Sequence, residues 1–232
     1  METKNYHRDE VYLQNQDLFR NIFRVVFKKV LKYKKRGSIL EVGSSMGLLL
    51  DIFRNAGWVV QGIEPSEKSS LYAKKIGIPT IGETFEESKI SGKYDVIILN
   101  HVLEHLTDPA RVLKKAHRLL NNDGIIVVNV PNAGSLAARI YGDSWEYVLT
   151  KEHLWQFTPN SLNGVLSDSG FKMLEWNAVS GVWEYDNPAA EIWQSLTNFK
   201  KRFFRNVLTA IPAWFVTRLK MGTGLSVVAQ KQ

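Results

Sequence analysis

The chain has 232 residues, 44% of them hydrophobic and 23% charged, which is the range of one globular α/β domain with attachments. It contains no cysteine, which excludes disulfides, thiolate metal sites and a cysteine nucleophile and makes an intracellular protein the expected class. The formal net charge of +7 is concentrated around residues 28–36 and 200–205 with Arg218 and Lys220, a distribution that suits nucleic acid, anionic lipid headgroups, phosphorylated substrates or simply solvated helix faces.

The N-terminal residues are polar and lack the apolar centre of a signal peptide. No uninterrupted apolar run approaches the roughly 20 residues of a membrane span, so a soluble protein is expected. Across residues 10–35, Leu18, Ile22, Val25, Val26 and Lys29 or Val30 recur at helical spacing and predict an amphipathic helix ending at Gly37. It is read as an N-terminal helical cap, residues 1–37, that packs on a sheet edge or covers a ligand. Tyr6, His7 and Tyr12 ahead of it either close over that ligand or fray.

From Ser38 onward, short apolar runs at 38–42, 58–63, 79–81, 94–99 and 124–130 alternate with helical stretches at 48–55, 67–76 and 109–120. Apolar runs without polar alternation, separated by helices, predict a parallel sheet covered on both faces. Right-handed crossovers then make it doubly wound, with its ligand at the carboxyl ends of the strands. A helix from Pro159 to Gly170, a strand at 171–176 and a final strand at 225–229 complete the pattern. Between those last strands, residues 187–224 carry Ile192, Leu196, Phe199, Phe203, Val207 and Ala210 at i+3/i+4 beside Lys200, Lys201, Arg202 and Arg205. This predicts a basic amphipathic helix stopped by Pro212. It serves as a lid or dimer face, or docks residues 192–216 on an anionic membrane, which would place the protein in the cytoplasm or against the inner face of the membrane.

The stretch Ser38-Ile39-Leu40-Glu41-Val42-Gly43-Ser44-Ser45-Met46-Gly47 reads as a strand, a tight loop and a helix start. Such a junction offers free backbone N–H groups and the positive end of a helix dipole to a small polar ligand, and glycine lets the backbone come close. The loop matches neither Gly-x-Gly-x-x-Gly nor a Walker loop. A carboxylate at the tip of the second strand, Glu64, can accept both hydroxyls of a ribose. With Glu41 in the first strand, the pair suits a nucleoside bearing a cationic amino group.

Glu41-Val42-Gly43-Ser44-Ser45-Met46-Gly47, Glu64-Pro65-Ser66 and the run Asp95-Val96-Ile97-Ile98-Leu99-Asn100-His101-Val102-Leu103-Glu104-His105 resemble successive motifs of the class I S-adenosylmethionine-dependent methyltransferases. The resemblance is to the small ubiquinone-type O-methyltransferase-like branch, with Ser45 where the middle glycine of the loop usually stands. It implies a Rossmann-like, doubly wound, seven-stranded and mostly parallel sheet with an antiparallel last strand. The methyltransferase domain would span residues 38–232, with residues 187–224 as its helical insertion. It further implies S-adenosylmethionine as cofactor and S-adenosylhomocysteine as product. The Glu41 region and the Gly43 and Ser44 backbone would face the methionine moiety, Ser45 and Gly47 would also bind the cofactor, and Glu64 would hold the ribose. Pro65 and Ser66 would border the adenosine, Thr84 and Phe85 would meet the adenine ring unless Phe85 is core, and Asn100 and His101 would lie beside the sulfonium and the acceptor.

His153, in His153-Leu154-Trp155-Gln156-Phe157-Thr158, and His101 are the candidate catalytic residues, because an imidazole with an ordinary pKa of about 6.5 suits taking a proton from a hydroxyl. A histidine that hydrogen-bonds a loop is the other reading of His153. Relatives hold a divalent metal with Glu-x-x-Glu-His. Here His101 stands in the first position beside Glu104 and His105, so no metal site is expected, and Glu104 and His105 are read as capping and packing the helix at Pro109. Val130-Pro131-Asn132 resembles the family's Pro-Asn turn, which implies a place along the acceptor cleft. Tyr141, Trp145, Tyr147, Trp155, Trp183 and Tyr185 suit stacking on an aromatic or sugar acceptor, or packing of an insertion.

The implied function is methyl transfer to a small-molecule acceptor, at a hydroxyl of a sugar, quinone precursor or lipid-linked metabolite. The alternatives are a non-catalytic cofactor-binding protein of the same fold, a nucleic-acid methylase using the basic helices, and a dinucleotide or nucleotide-sugar enzyme with a degenerate loop. A missing third glycine speaks against the last. No Asn/Asp-Pro-Pro-Tyr/Phe motif lies beside the fourth strand, so no nucleic-acid partner is expected.

Overall fold

The apolar runs become the strands of one seven-stranded sheet in the computed structural model, which describes residues 15–149, 152–197 and 203–232. Helix α1 (Gln16–Tyr33) leads into β1 (Ser38–Val42), α2 (Leu48–Asn55), β2 (Val59–Ile63), α3 (Glu67–Lys75), β3 (Thr80–Ile81) and β4 (Tyr94–Asn100). A 3-10 turn at Leu103–His105 precedes α4 (Pro109–Leu119) and β5 (Leu120–Pro131). Then come α5 (Leu136–Tyr141), α6 (Glu146–Leu149), α7 (Pro159–Ser167), β6 (Phe171–Val179), a 3-10 turn at Gly181–Glu184, α8 (Pro188–Thr197), α9 (Phe203–Arg218) and β7 (Gly224–Lys231).

The strand order is β3-β2-β1-β4-β5-β7-β6. The first five strands run parallel, and β7 lies antiparallel between β5 and β6, the arrangement that the motifs imply. The chain starts in the middle with β1, moves to one edge, then returns to lay β4 on the other side. That reversal opens a crevice at the carboxyl ends of β1 and β4. Register aligns the strand tips, with Val42 opposite both Ile63 and Leu99, and Asn100 opposite Asn129.

Side chains alternate across the sheet. Leu40, Val42, Ile97, Leu99, Ile126 and Val128 face Val112, Leu113 and Ala116 of α4 and Leu162 and Leu166 of α7. Ile39, Val96, Ile98 and Val127 face Phe23, Val26 and Val30 of α1 and Leu49, Leu50 and Phe53 of α2. Both faces are buried, which is why these strands read as unbroken apolar runs. Each such Leu, Ile or Phe contributes about 1.5–3 kcal/mol. The α1–α2 contact is pinned by Asp51, whose carboxylate accepts from Arg20 at 2.8 Å and Arg54 at 2.6 Å.

The stretch after β6 departs from expectation. It holds two helices, and Pro212 lies inside α9 instead of ending it. Proline forfeits one main-chain N–H, but Ala210 and Ala213 on either side are buried and the Ala210 carbonyl accepts from Trp183 Nε1 at 2.8 Å, so packing carries the helix through. Tyr6, His7, Tyr12, Phe199, Lys200, Lys201 and Arg202 lie outside the described residues, as do the side chains of Phe203 and Arg205. Among the described residues no helix is long and apolar enough to cross a membrane.

Candidate active site

The loop from β1 to α2 is shaped by backbone needs. Gly43 sits at φ +69°, and a Cβ there would lie 2.6 Å from Val102 Cγ2. Ser45, in the place of the middle glycine, itself adopts φ +46°, so it performs the glycine's turn at the modest cost of a left-handed serine. Gly62 in β2 admits Ser44, whose Oγ would stand 2.5 Å from a Cβ at that position. The loop is tied to the tip of β2 through Glu64, whose Oε2 accepts from Ser45 N and Oε1 from Ser66 N, both at 2.8 Å.

This loop forms one wall of a cleft of about 260 Å³ lined by Gly43, Ser45, Glu64, Pro65, Ser66, Thr84, Phe85, Asn100 and His101 among others. Nine of the predicted site residues thus meet in one place. Phe85 is both core and wall, 2% exposed. Its segment is held by Lys115, whose ammonium lies 4.7 Å from the ring centroid and donates to the Phe85 carbonyl and, at 2.7 Å, to that of Ser88. Glu41 and Ser44 lie behind the loop, in a recess of about 20 Å³ shared with Asn100. Gly47 lines none of these spaces and instead precedes α2 at φ +74°. Burial, and secondarily the Glu64 carboxylate, hold the Glu41 carboxyl well above the usual range. Glu41 Oε2 and Ser44 Oγ are buried without a hydrogen-bond partner. An orphaned carboxyl oxygen here fits an incoming ammonium group, which would satisfy it and reverse the shift.

A larger cavity, about 520 Å³, opens on the other side of the β4 tip. Its walls are α1 (Ile22, Val25, Lys29), β6 and β7 (Asn177, Ser226) and the turn bearing Trp183, Glu184 and Tyr185. Among the described residues, only Asn100 and His101 line both this cavity and the cleft. Asn100 is oriented by Asn129, whose Nδ2 donates to its Oδ1 at 2.8 Å. His101 sits at φ +56° with its ring half exposed, and its Nδ1 is 3.2 Å from Oε1 of Glu104, a residue only 1% exposed. A carboxylate only accepts, so Nδ1 carries the proton and Nε2 is the basic nitrogen.

His153 lines neither cavity. Its Nδ1 donates to Tyr147 O at 3.0 Å and its ring meets His105 edge-on at 4.7 Å. His105 Nδ1 donates to Glu152 O at 2.9 Å, and the Glu104 carbonyl accepts from Leu154 N and Trp155 N. These bonds dock the 152–158 segment on the β4 tip. They do not cap the next helix, which takes its cap from Asp108, a 2.9 Å acceptor for Arg111 N. Glu104, His105 and His153 each bring a ligand atom within 4.8 Å of the others, a donor set of one carboxylate and two imidazoles that zinc-class ions accept. Asn132 is tied to Gly222 O and lines neither cavity. Of the six aromatic residues singled out, Trp183 and Tyr185 line the larger cavity, whereas Trp145 is buried and Tyr141 exposed.

Two wall residues escape sequence reasoning. Lys29 was visible only as a cation on the apolar stripe of a helix. Glu184 had no signal at all. Burial pushes the Glu184 carboxyl up to about 7, partly offset by the charge of His101. Between its ordinary 4.5 and 7 the folded protein holds this proton more tightly than the unfolded chain, so stability falls as pH rises through that window and stays low above it. Glu184→Gln is therefore expected to stabilise the fold by about 2 kcal/mol at about pH 8 and by much less at about pH 5, read from urea unfolding. A gain that does not change with pH would refute this origin.

A family model described as a methyltransferase domain matches residues 14–175. The ubiquinone biosynthesis O-methyltransferase of Bradyrhizobium sp. (strain ORS 278) is 30% identical over 155 residues, covering 61% of this chain and 60% of that protein. That of Escherichia coli O9:H4 (strain HS) is 29% identical over 136 residues, 55% of this chain and 54% of that protein. The chain thus matches little more than half the length of these curated relatives. Among solved structures, the magnesium protoporphyrin IX methyltransferase of Synechocystis PCC 6803 with bound S-adenosylhomocysteine superposes with a TM-score of 0.60 at 15% identity, over 98% of this chain and 88% of that one. At that identity the likeness is one of fold.

Proposed function

The chain belongs to the methyltransferase-domain family, and from that premise we propose that it transfers a methyl group from S-adenosylmethionine to a hydroxyl of a small molecule. The observation that carries this reading is that, among the described residues, cleft and cavity have only Asn100 and His101 in common. Two reactants held on the two sides can meet only at the β4 tip.

In this reading Glu64 receives the ribose hydroxyls, and the Gly43, Ser44 and Ser45 backbone borders the methionine moiety. The orphaned Glu41 oxygen takes the α-ammonium group, while Thr84 and Phe85 flank the adenine. When bound, the cofactor supplies an electrophilic methyl carbon on a sulfonium, whose S–C bond breaks as the acceptor oxygen bonds to carbon. What this chain adds is alignment and proton removal. Asn100, fixed by Asn129, orients the acceptor. His101 Nε2 takes the hydroxyl proton, and the Glu104 carboxylate stabilises the imidazolium that forms. His153 holds the 152–158 segment in place. Oxygen as the acceptor atom is supported by this basic nitrogen and by the relatives' description as O-methyltransferases.

Calorimetric titration with S-adenosylhomocysteine, beside NAD and with and without EDTA, tests the proposal. Micromolar binding of the first compound alone is expected, and silence towards it overturns the reading. A difference on adding EDTA reports an ion at Glu104, His105 and His153.

The exposed apolar face of α8 and α9 supports peripheral contact with an anionic membrane. Trp193, Leu208, Ile211 and Phe215 are 55–70% exposed, and Arg218 at the end of α9 lies 5.5 Å from the Trp214 ring centroid, an aromatic and basic combination that favours the lipid interface. Co-sedimentation with phosphatidylglycerol vesicles, and its loss in Ile211→Glu, are expected. Equal recovery of both proteins in the supernatant would refute the contact.

A further inference from the structure

We propose that the larger cavity is built for an acceptor that carries an anionic group, a phosphate monoester or a carboxylate, seated against the Lys29 ammonium. This deepens the reading of that cavity as the acceptor site and rests on it.

The walls carry five cations, Lys28, Lys29, Lys32, Arg218 and Lys220, against the carboxyl groups of Glu184 and Asp186. Lys28 is balanced by Asp186 at 2.6 Å and Lys32 by Glu175 at 3.4 Å. Among the described residues, Lys29, Arg218 and Lys220 have no carboxylate within 4.0 Å. The excess charge is therefore local to this cavity.

Lys29 is the residue that makes the excess meaningful. It is only 8% exposed, between Val26 and Val30 on the inward face of α1, where an apolar side chain would pack at no electrostatic cost. Its Nζ donates to Ser226 Oγ at 2.6 Å, and Ser226 also lines the cavity. An ammonium has three donors, so this bond leaves donors for a ligand. A buried cation without a counterion destabilises the fold. Burial lowers the Lys29 pKa to about 8, against a smaller opposing pull from Glu175, which still leaves it a cation at neutral pH. The Glu184 carboxyl, raised to about 7 by burial, is half neutral there and repels an anion less than an ordinary glutamate would.

Two further cations stand at the rim on aromatic supports. Arg218 lies 5.5 Å from the Trp214 ring centroid and Lys220 4.6 Å from that of Trp176. Lys29 and His101 face the same cavity, so an acceptor held by its anion at Lys29 can present a hydroxyl to the base.

The test is calorimetric titration, at low ionic strength, of the chain saturated with S-adenosylhomocysteine, using phenyl phosphate, benzoate and the neutral benzyl alcohol. At least one anion is expected to bind ten times tighter than the alcohol or better. Phenyl phosphate alone would identify a phosphate ester and benzoate alone a carboxylate. Lys29→Met should weaken the anion at least tenfold, and Arg218→Gln, on an exposed side chain, severalfold, with cofactor affinity unchanged in both. The second variant keeps the test intact should the first not fold. The proposal is overturned if neither anion binds, if benzyl alcohol binds as tightly, or if the variants leave anion affinity unchanged. If S-adenosylhomocysteine itself does not bind, the methyl-transfer reading falls, while the same titrations of the unloaded chain still decide whether the cavity takes anions.

Discussion

Glu64→Ala is expected to lower affinity for S-adenosylhomocysteine at least a hundredfold, the largest binding effect of any single substitution in the cleft. The carboxylate has two tasks. It accepts from Ser45 N and Ser66 N at 2.8 Å each, which clamps the glycine loop to the tip of β2. Each oxygen has a second lone pair, and these are what a ribose diol would use. In the proposed binding mode alanine removes two charge-assisted hydrogen bonds to the ribose, worth roughly 1.5–3 kcal/mol each, and frees the glycine loop that Glu64 clamps. About 3 kcal/mol, or just over a hundredfold, is a conservative sum of these losses. Glu64→Asp, one methylene short, should fall between. If calorimetry finds Glu64→Ala within threefold of the parent chain, the ribose is held elsewhere and the orientation of the cofactor has to be reversed.

His101→Asn is expected to leave that affinity within about threefold and to reduce kcat by roughly 10²–10⁴, the usual worth of a positioned base. Asparagine is the informative replacement because it tolerates the left-handed backbone at φ +56° that His101 adopts, so the loss reports the imidazole and not a distorted β4 tip. Label transfer from S-adenosylmethionine to an acceptor found among hydroxylated aromatics and sugars provides the rate. An acceptor-free check comes from the ring nitrogens. Imidazole ¹⁵N spectra should show the Nδ1–H tautomer that the Glu104 contact dictates, and Glu104→Gln should disturb it. A kcat within tenfold of the parent, or a ring protonated at Nε2, would remove His101 from the role of base.

The sheet was legible in the sequence because its central strands are buried on both faces and so appear as unbroken apolar runs, and the cleft beside the glycine loop was legible because its parts are local. Gly43, Ser45 and Gly47 shape one loop, and Glu64 ends the next strand. The placement of His153 was not legible. Its spacing to Phe157 and Thr158 is compatible with a residue in the cavity or behind it, and only the hydrogen bonds to Tyr147 and from Leu154 and Trp155 to Glu104 fix it behind. Pro212 misled for a related reason. Local rules make proline a helix stop, whereas burial of Ala210 and Ala213 carries α9 past it.

Periodicity and the strand-loop-helix junction by themselves determined the α/β class and the position of the crevice, since each follows from backbone geometry over a few consecutive residues, while the residues expected to meet a cofactor there came from the motif resemblance. Only the tertiary structure decided what lines the larger cavity. That wall is drawn from α1, β6, β7 and the turns between them, far apart in the chain, and no short-range pattern relates Lys29 to Ser226 or Glu184 to His101. Their association exists only because β7 inserts between β5 and β6 while α1 folds back across the sheet, burying charges that the sequence alone would leave in water.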